Sequence, residues 1–221
     1  MIVKFSARED NAVSERWRDL LLAEHHALET LHEAGVPAAR TSIVDSAGQR
    51  FLEVVRFDRT GALGWLALLS LAALDAEFVG RGGNWFETTQ ALVQEGQVVP
   101  EALPAAQLLW AYGTLIGNTD MHAGNLSFTS DSGRPYRLAP AYDMTPMAFA
   151  PHTSGAMAEA LRPPAIVAAI SGPVWRAAHA LAVRYVQRLR SELRLSAGFA
   201  ACVQATGEQL AAARERIDRI A

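Results

Sequence analysis

The run I-G-N-T-D-M-H-A-G-N-L-S-F at residues 116–128, followed after a turn by Y-R-L-A-P-A-Y-D-M at 136–144, gathers Asp120, His122, Asn125 and Asp143 within 24 residues. An aspartate, an asparagine five positions on and a second aspartate beyond a short hairpin are the set with which a phosphotransferase holds a metal nucleotide. One carboxylate accepts the hydroxyl proton, and an amide oxygen with the other carboxylate holds magnesium. Magnesium takes hard oxygen ligands in near-octahedral geometry, so Asn125 and Asp143 suit it and the imidazole of His122 does not. The local pattern supplies the geometry. Leu126 to Phe128 and Tyr136 to Leu138 alternate around the turn tripeptide Asp131-Ser132-Gly133 and predict a hairpin whose open end would bring Asn125 and Asp143 together. Each residue also has a structural reading. Asn118, Thr119 and Asp120 could form a helix C-cap and turn, and Asp143 could cap Thr145-Pro146. A carboxylate–metal hydrolase built on Asp120, His122 and Asp143 is a further alternative, and it would need an activated water on the metal.

N-T-D-M-H-A-G-N with the later L-A-P-A-Y-D closely resembles the catalytic and metal-binding segments of HipA-like serine/threonine kinases, a bacterial family that includes toxin kinases. The likeness extends from about Ile2 to the C-terminal helices. It implies a protein-kinase-like α+β fold, with a small, truncated, β-rich N-lobe and hinge over 1–59 and a larger, mostly α-helical C-lobe over 60–221. On this resemblance Asp120 is the catalytic base, Asn125 and Asp143 are the metal ligands, His122 lies near the phosphates, and Tyr142 belongs to the nucleotide site, with ATP and Mg2+ as cofactors. Two departures stand out. Gly124 occupies a position where the family frequently has lysine, and Met144 follows the second aspartate where ordinary protein kinases have Phe-Gly. The family further implies a protein substrate from the translation machinery, such as an aminoacyl-tRNA synthetase, and an antitoxin-like partner. DNA would be reached only through that partner or through an N-terminal region.

Composition narrows the class. Of 221 residues, 50% are hydrophobic and 19% charged, which predicts a folded chain with a sizeable core. A net charge of −3 gives no broad electrostatic basis for nucleic-acid binding. A single cysteine, Cys202, excludes an internal disulfide and a cysteine-based metal cluster. The opening M-I-V-K-F-S has no signal-peptide pattern, and no uncharged apolar run reaches the ~20 residues of a membrane span, so a cytoplasmic chain without membrane association is expected.

The N-terminal third reads as strand, helix and hairpin. Ile2 to Phe5 predicts a strand with Lys4 pointing opposite to Val3 and Phe5. Residues 14–34 predict a helix, with Trp17, Leu20, Leu21, Leu28 and Leu31 at helical spacing, Ser14 as N-cap and Gly35 as its stop. In a kinase the strand lysine pairs with the phosphates and with a glutamate on the next helix. Glu24, 20 residues after Lys4, is assigned that role, with Glu29 as competitor. His25 and His26 read as surface or helix-packing residues. Strands at 40–44 and 50–55 flank the turn residues Asp45 to Gly48, and the second runs into F-D-R at 57–59, which resembles the family's inter-lobe segment. There the main chain near Val55 and Phe57 would contact adenine. The alternative makes Arg56, Asp58 and Arg59 a surface charge network.

Beyond Gly61 the composition turns helical. Helices are expected at 63–78, buried all round, then at 85–95, 104–116, 175–193 and 199–220. Trp110 and Tyr112 read as core. A long ordered loop is expected at 144–164, with Thr145, Thr153 and Ser154 as contact or phosphorylation positions. Arg184, Arg188, Arg190 and Arg194 read as a solvated helix face. The glycine-rich loop that a kinase places before its lysine strand has no counterpart here, since Gly80-Arg81-Gly82-Gly83 follows a helix. The chain therefore reads either as the C-terminal portion of a longer protein or as a short form with an incomplete upper lobe.

Overall fold

Alternation of side chains along three short strands builds the smaller lobe. The computed structural model describes residues 1–158 and 160–220. Strands β1 (Ile2–Phe5), β2 (Thr41–Ser46) and β3 (Gln49–Val54) form an antiparallel sheet in the order β1-β3-β2, with Lys4 opposite Leu52 and Ile43 opposite Leu52 from the other side. Leu52 and Val54 pack with Leu21 and Ala39 into a small core, while Val3, Phe5 and Val44 stay exposed on the outer face. The β2–β3 turn is tighter than expected. Only Ala47 (φ 47°) and Gly48 (φ 77°) lie between the strands, both left-handed, as a two-residue hairpin turn requires.

Helix α1 (Ala12–Glu33) serves both lobes. Leu21 joins the small core, whereas Leu20, Ala23, Ala27, Leu28 and Leu31 enter the large one. Its N-cap is Asn11, whose Oδ1 accepts from the Ser14 N–H at 2.9 Å, and not Ser14, which is buried inside the first turn. The Ala-Val pair before Ser14 is compatible with a helix, so the helix extends back to the next cap-forming residue. Polar groups also bind α1 to the large lobe. Arg16 donates to the carbonyls of Phe149 and Ala158, each at 3.1 Å, and to that of Gly198 at 3.4 Å, with its guanidinium over the Phe199 ring. Asp19 accepts from the Ser196 N–H and hydroxyl at 3.0 and 2.6 Å. The Tyr112 hydroxyl donates to Ala27 O at 3.1 Å.

The buried helix expected at 63–78 is a correction. Strands β4 (Arg59–Thr60) and β5 (Gly64–Trp65) form a small hairpin, β6 (Ala67–Ser70) pairs with β7 (Ser127–Ser130), and only α2 (Leu71–Phe78) is helical. Leu63 and Trp65 are 94% and 70% exposed. Periodicity cannot separate an all-round apolar run from a strand. Left-handed Gly61 turns the chain, the antiparallel edge of β7 captures residues 67–70, and Ser70 caps α2 by accepting from the Ala73 N–H.

Helices α3 (Trp85–Gln94), α4 (Ala102–Ile116), α5 (Gly172–Ser191) and α6 (Ala197–Asp218) complete the larger lobe around Trp85, Tyr112, Phe128, Phe149, Trp175, Tyr185 and Phe199, all fully buried. Trp110 is half-buried, edge-on to Trp85 and Phe86. Helices α4 and α5 start before the expected 104 and 175, because proline is tolerated in a first turn, where its missing N–H has no helical partner. The expected hairpin forms from β7 and β8 (Arg137–Leu138), with Phe128 opposite Leu138. Among the described residues, the segment at 144–164 holds one 3-10 turn, Met147–Phe149. Glu159 within it and Ala221 at the end of the expected C-lobe lie outside the described residues. Among the described residues no helix is long and apolar enough to cross a membrane.

Candidate active site

Strand β1 turns Lys4 away from exposed Val3 and Phe5 and toward α1. Its Nζ lies 2.8 and 2.9 Å from the two carboxylate oxygens of Glu24 and 2.5 Å from Asp143 Oδ1. Glu24 is 1% exposed, and its Oε2 also accepts from the Thr145 hydroxyl at 2.7 Å. Lys4 thus selects Glu24 over Glu29, the competitor on the same helix. Burial pulls the Lys4 pKa down, but Glu24 and Asp143 more than offset it and leave the ammonium above its ordinary value. Burial pushes Glu24 up, against the opposing pull of Lys4.

The other candidate residues stand at the open end of the β7–β8 hairpin. Gly117, left-handed at φ 81°, closes α4 and releases the chain into Asn118. Asn118 is buried. Its Oδ1 accepts from the Asp120 N–H at 2.9 Å, and its Nδ2 donates to Asp143 O at 3.3 Å. Asn125 Nδ2 donates to Asp120 O at 2.9 Å, and among the described residues nothing donates to its amide oxygen. The Tyr142 hydroxyl donates to Gly124 O at 2.9 Å and meets the Ser127 hydroxyl at 2.7 Å, tying the segment leading to Asp143 against the turn that carries Asn125. Asp143 itself has φ 55°, a left-handed conformation that aspartate tolerates better than most residues.

Asp120 and His122 present more than half of their side-chain surface to solvent, with His122 Nε2 3.9 Å from Asp120 Oδ1. The Gly124 N–H donates to His122 Nδ1 at 2.9 Å. A Cβ at position 124 would come within 2.7 Å of His122 Cε1, so any larger residue there would require the imidazole to move.

A cavity of about 310 Å³ opens between the lobes, lined by Ile2, Lys4, Glu24, Val54, Phe57 and Asp143 among others. Phe57 and Tyr142 form an apolar wall, with ring centroids 6.0 Å apart. Val55 does not line this cavity. It is 55% exposed, and its N–H donates to Arg40 O at 2.8 Å. Arg56 pairs with Asp58 at 2.9 Å through Nε, and Arg59 lies 3.7 Å from the same carboxylate, so the charge network read from sequence sits at the cavity rim.

The donor set suits a hard cation. Among the described residues, nothing donates to Asp143 Oδ2 or to Asn125 Oδ1, so one carboxylate oxygen and one amide oxygen are available. Magnesium commonly takes few protein oxygens and fills the rest of its shell with phosphate and water.

Several other sequence expectations resolve locally. Thr145 is buried against Glu24, whereas Thr153 and Ser154 are exposed. The amides of Arg81 and Gly82 donate to the Asp75 carboxylate at 3.0 and 2.8 Å, so the glycine cluster is a self-capped turn. His25 bonds the Thr41 hydroxyl, and His26 bonds Glu192. Arg188 pairs with Glu33, and Arg194 with Glu192. Sequence reading placed Asn118 in a turn with Asp120, which its Oδ1 bond to the Asp120 N–H matches, but missed its bond to Asp143 and the Glu24 contact of Thr145. Only an Asn two residues ahead of the first aspartate, and a hydroxyl two residues past the second one, marked them.

The model of the HipA-like C-terminal domain family matches residues 1–220. The protein named Toxin YjjJ, from Escherichia coli, is 36% identical over 221 residues, covering 100% of this chain and 50% of that protein. The chain thus spans about half the length of this curated relative. The structure is similar to HipA of the Shewanella oneidensis MR-1 toxin–antitoxin system, solved in a complex with HipB and operator DNA (TM-score 0.65, 20% identity, 98% of this chain and 59% of that one). It is also similar to the proinflammatory kinase CtkA of Helicobacter pylori (TM-score 0.62, 13% identity, 98% of this chain and 85% of that one). The fold is therefore kinase-like.

Proposed function

Because this chain belongs to the HipA-like C-terminal domain family, we propose that it moves the γ-phosphoryl group of ATP to a serine or threonine hydroxyl of a protein, as the catalytic portion of a toxin–antitoxin type regulator. One observation carries this reading. The Lys4–Glu24 pair meets Asp143 at the wall of a cavity whose other side is formed by Val54, Arg56 and Phe57.

The ammonium of Lys4, held protonated by two carboxylates, binds phosphate oxygens, and Glu24 fixes its direction. Phe57, Tyr142 and Val54 offer apolar walls for adenine. Asn125 and Asp143 would hold magnesium, which when bound neutralises charge on the phosphate oxygens. Asp120 faces solvent and accepts the proton of the incoming hydroxyl as its oxygen bonds to the γ-phosphorus and ADP departs. The toxin name of the Escherichia coli relative and the HipB–operator complex of the Shewanella protein support an antitoxin-like partner, with DNA reached through it. A translation component such as an aminoacyl-tRNA synthetase is the acceptor class that the family resemblance implies.

The test is transfer of label from γ-labelled ATP with magnesium to a protein acceptor. We expect Asp120→Ala to lower the rate by about 10²–10⁴-fold, the usual contribution of a positioned base, with no change in melting temperature. Equal labelling by the variant, or phosphate release with no protein acceptor, overturns the assignment. A second reading, a catalytically impaired kinase-like module acting on a partner or promoter, draws support from the Lys4–Asp143 contact, which occupies one of the two carboxylate oxygens of the metal-ligand candidate. A cellular effect that survives Asp120→Ala selects it.

A further inference from the structure

We infer that Asn118 is a positioning residue, a side-chain bridge that sets the base segment and the metal-binding segment at a fixed separation; this role rests on the phosphotransfer reading above. Its amide is 25 residues in sequence from one partner and two from the other, and it bonds the backbone of both. Oδ1 accepts from the Asp120 N–H at 2.9 Å, and Nδ2 donates to Asp143 O at 3.3 Å. From Asp120 the chain of bonds continues, because its carbonyl accepts from Asn125 Nδ2 at 2.9 Å. Asn118 thus bonds Asp120 and Asp143 directly and reaches Asn125 through the Asp120 carbonyl.

Its own placement is fixed. The residue is 3% exposed, its N–H donates to Gly113 O at 2.9 Å, and left-handed Gly117 sets the direction in which it leaves α4. Asp143, at φ 55°, occupies a sparsely populated conformation that surrounding bonds must maintain. The Asn118 amide holds its carbonyl, while Lys4 holds its carboxylate. This double duty dictates the residue type. A primary amide offers a donor and an acceptor on two separate atoms at the end of a short stem, as these two partners require. Aspartate keeps the acceptor for Asp120 but sets an oxygen against the Asp143 carbonyl. Alanine removes both bonds.

The two variants separate the two arms. Asn118→Asp should raise the magnesium concentration for half-maximal activity about 10-fold, or 1.4 kcal/mol by the usual conversion, with kcat changed less than about 3-fold. Asn118→Ala should raise that requirement and also lower kcat about 10²-fold, the scale of a 1 Å misplacement. Amide hydrogen exchange at Asp120 supplies a readout independent of catalysis. Protection should persist in Asn118→Asp and be lost in Asn118→Ala, and magnesium–ATP affinity by calorimetry should fall in both. A folded Asn118→Ala chain with wild-type kcat, magnesium requirement and Asp120 exchange overturns the role alone. Should Asn118→Ala not fold, Asn118→Asp with an unchanged magnesium requirement and affinity overturns it equally. A wild-type chain that neither transfers phosphate nor binds magnesium–ATP removes the underlying reading, and the role with it.

Discussion

Replacing Lys4 by methionine keeps the stem, deletes the charge and leaves a buried carboxylate short of partners. Glu24, 1% exposed, loses both of its Lys4 contacts and retains only the Thr145 hydroxyl. Stranding a buried charge costs about 3–5 kcal/mol, and solvent screening at Lys4, whose side chain is 34% exposed, reduces the pair's worth, so a loss of about 2–4 kcal/mol is expected near pH 8. In a chain of this size each kcal/mol moves the melting point by about 2–4 °C, giving a drop of about 4–16 °C. The pH dependence has a definite sign. Burial already holds the folded Glu24 pKa above its ordinary 4.5, and loss of the ammonium raises it further. The folded variant then binds that proton more tightly than the unfolded chain, so its deficit is greatest above the raised pKa and shrinks as pH falls through it toward 4.5. In the wild type, the raised Lys4 pKa contributes stability that is complete below 10.5 and is lost as pH rises through the folded value. Urea denaturation between about pH 5 and pH 9 measures the Glu24 limb, and its extension to about pH 11 the Lys4 limb. A deficit under about 1 kcal/mol at pH 8, or one that stays constant down to pH 5, refutes the account of Glu24 as a buried carboxylate dependent on Lys4. The double variant Lys4→Met/Glu24→Leu should be more stable than Lys4→Met, since no orphaned charge remains.

Gly117→Ala forces a side chain into a left-handed conformation and sets its Cβ 2.9 Å from Leu161 Cδ2, so a loss of about 1–3 kcal/mol by chemical denaturation is expected. Arg194 holds the Glu192 carboxyl well below the usual carboxylate range, while burial keeps the His26 pKa low, so His26 is neutral and its Nε2–H donates to Glu192 at 2.9 Å. Glu192→Ala should therefore cost about 1–2 kcal/mol at neutral pH. Because a depressed carboxylate pKa contributes above the unfolded value and loses that contribution as pH falls, the gap from wild type should narrow below 4.5, as thermal melts would record.

How much of this was legible in the sequence varied with the kind of bond involved. The Lys4–Glu24 pairing was readable only through the kinase pattern, which puts a glutamate on the helix after the strand lysine, and the structure joins the two at 2.8 Å. The β7–β8 hairpin was readable because alternation flanks an unambiguous turn. The strands at 59–70 were not, because the register of β6 is set by β7, a partner more than fifty residues later, and an alanine- and leucine-rich run carries no period to reveal it. The same limit hid the role of Asn118. Its side chain bonds backbone groups, and backbone partners leave no mark on residue identity. At the hinge, Val55 was proposed for its place in the motif, but its amide is spent within the sheet region on Arg40.

Helix α1 is riveted along its length to the larger lobe, by Arg16 to three carbonyls, by Asp19 to Ser196, by Ala27 to Tyr112 and by His26 to Glu192. Swinging this helix outward to disengage Glu24 from Lys4 would uncover a buried arginine and a buried aspartate together, with several bonds broken at once. The helix thus acts as a keel and not as a lever. With Lys4 on β1 bonded to Glu24 and Asp143, the glutamate's place in the cleft is set by the larger lobe, and α1 is not the part of the cleft wall that could give way.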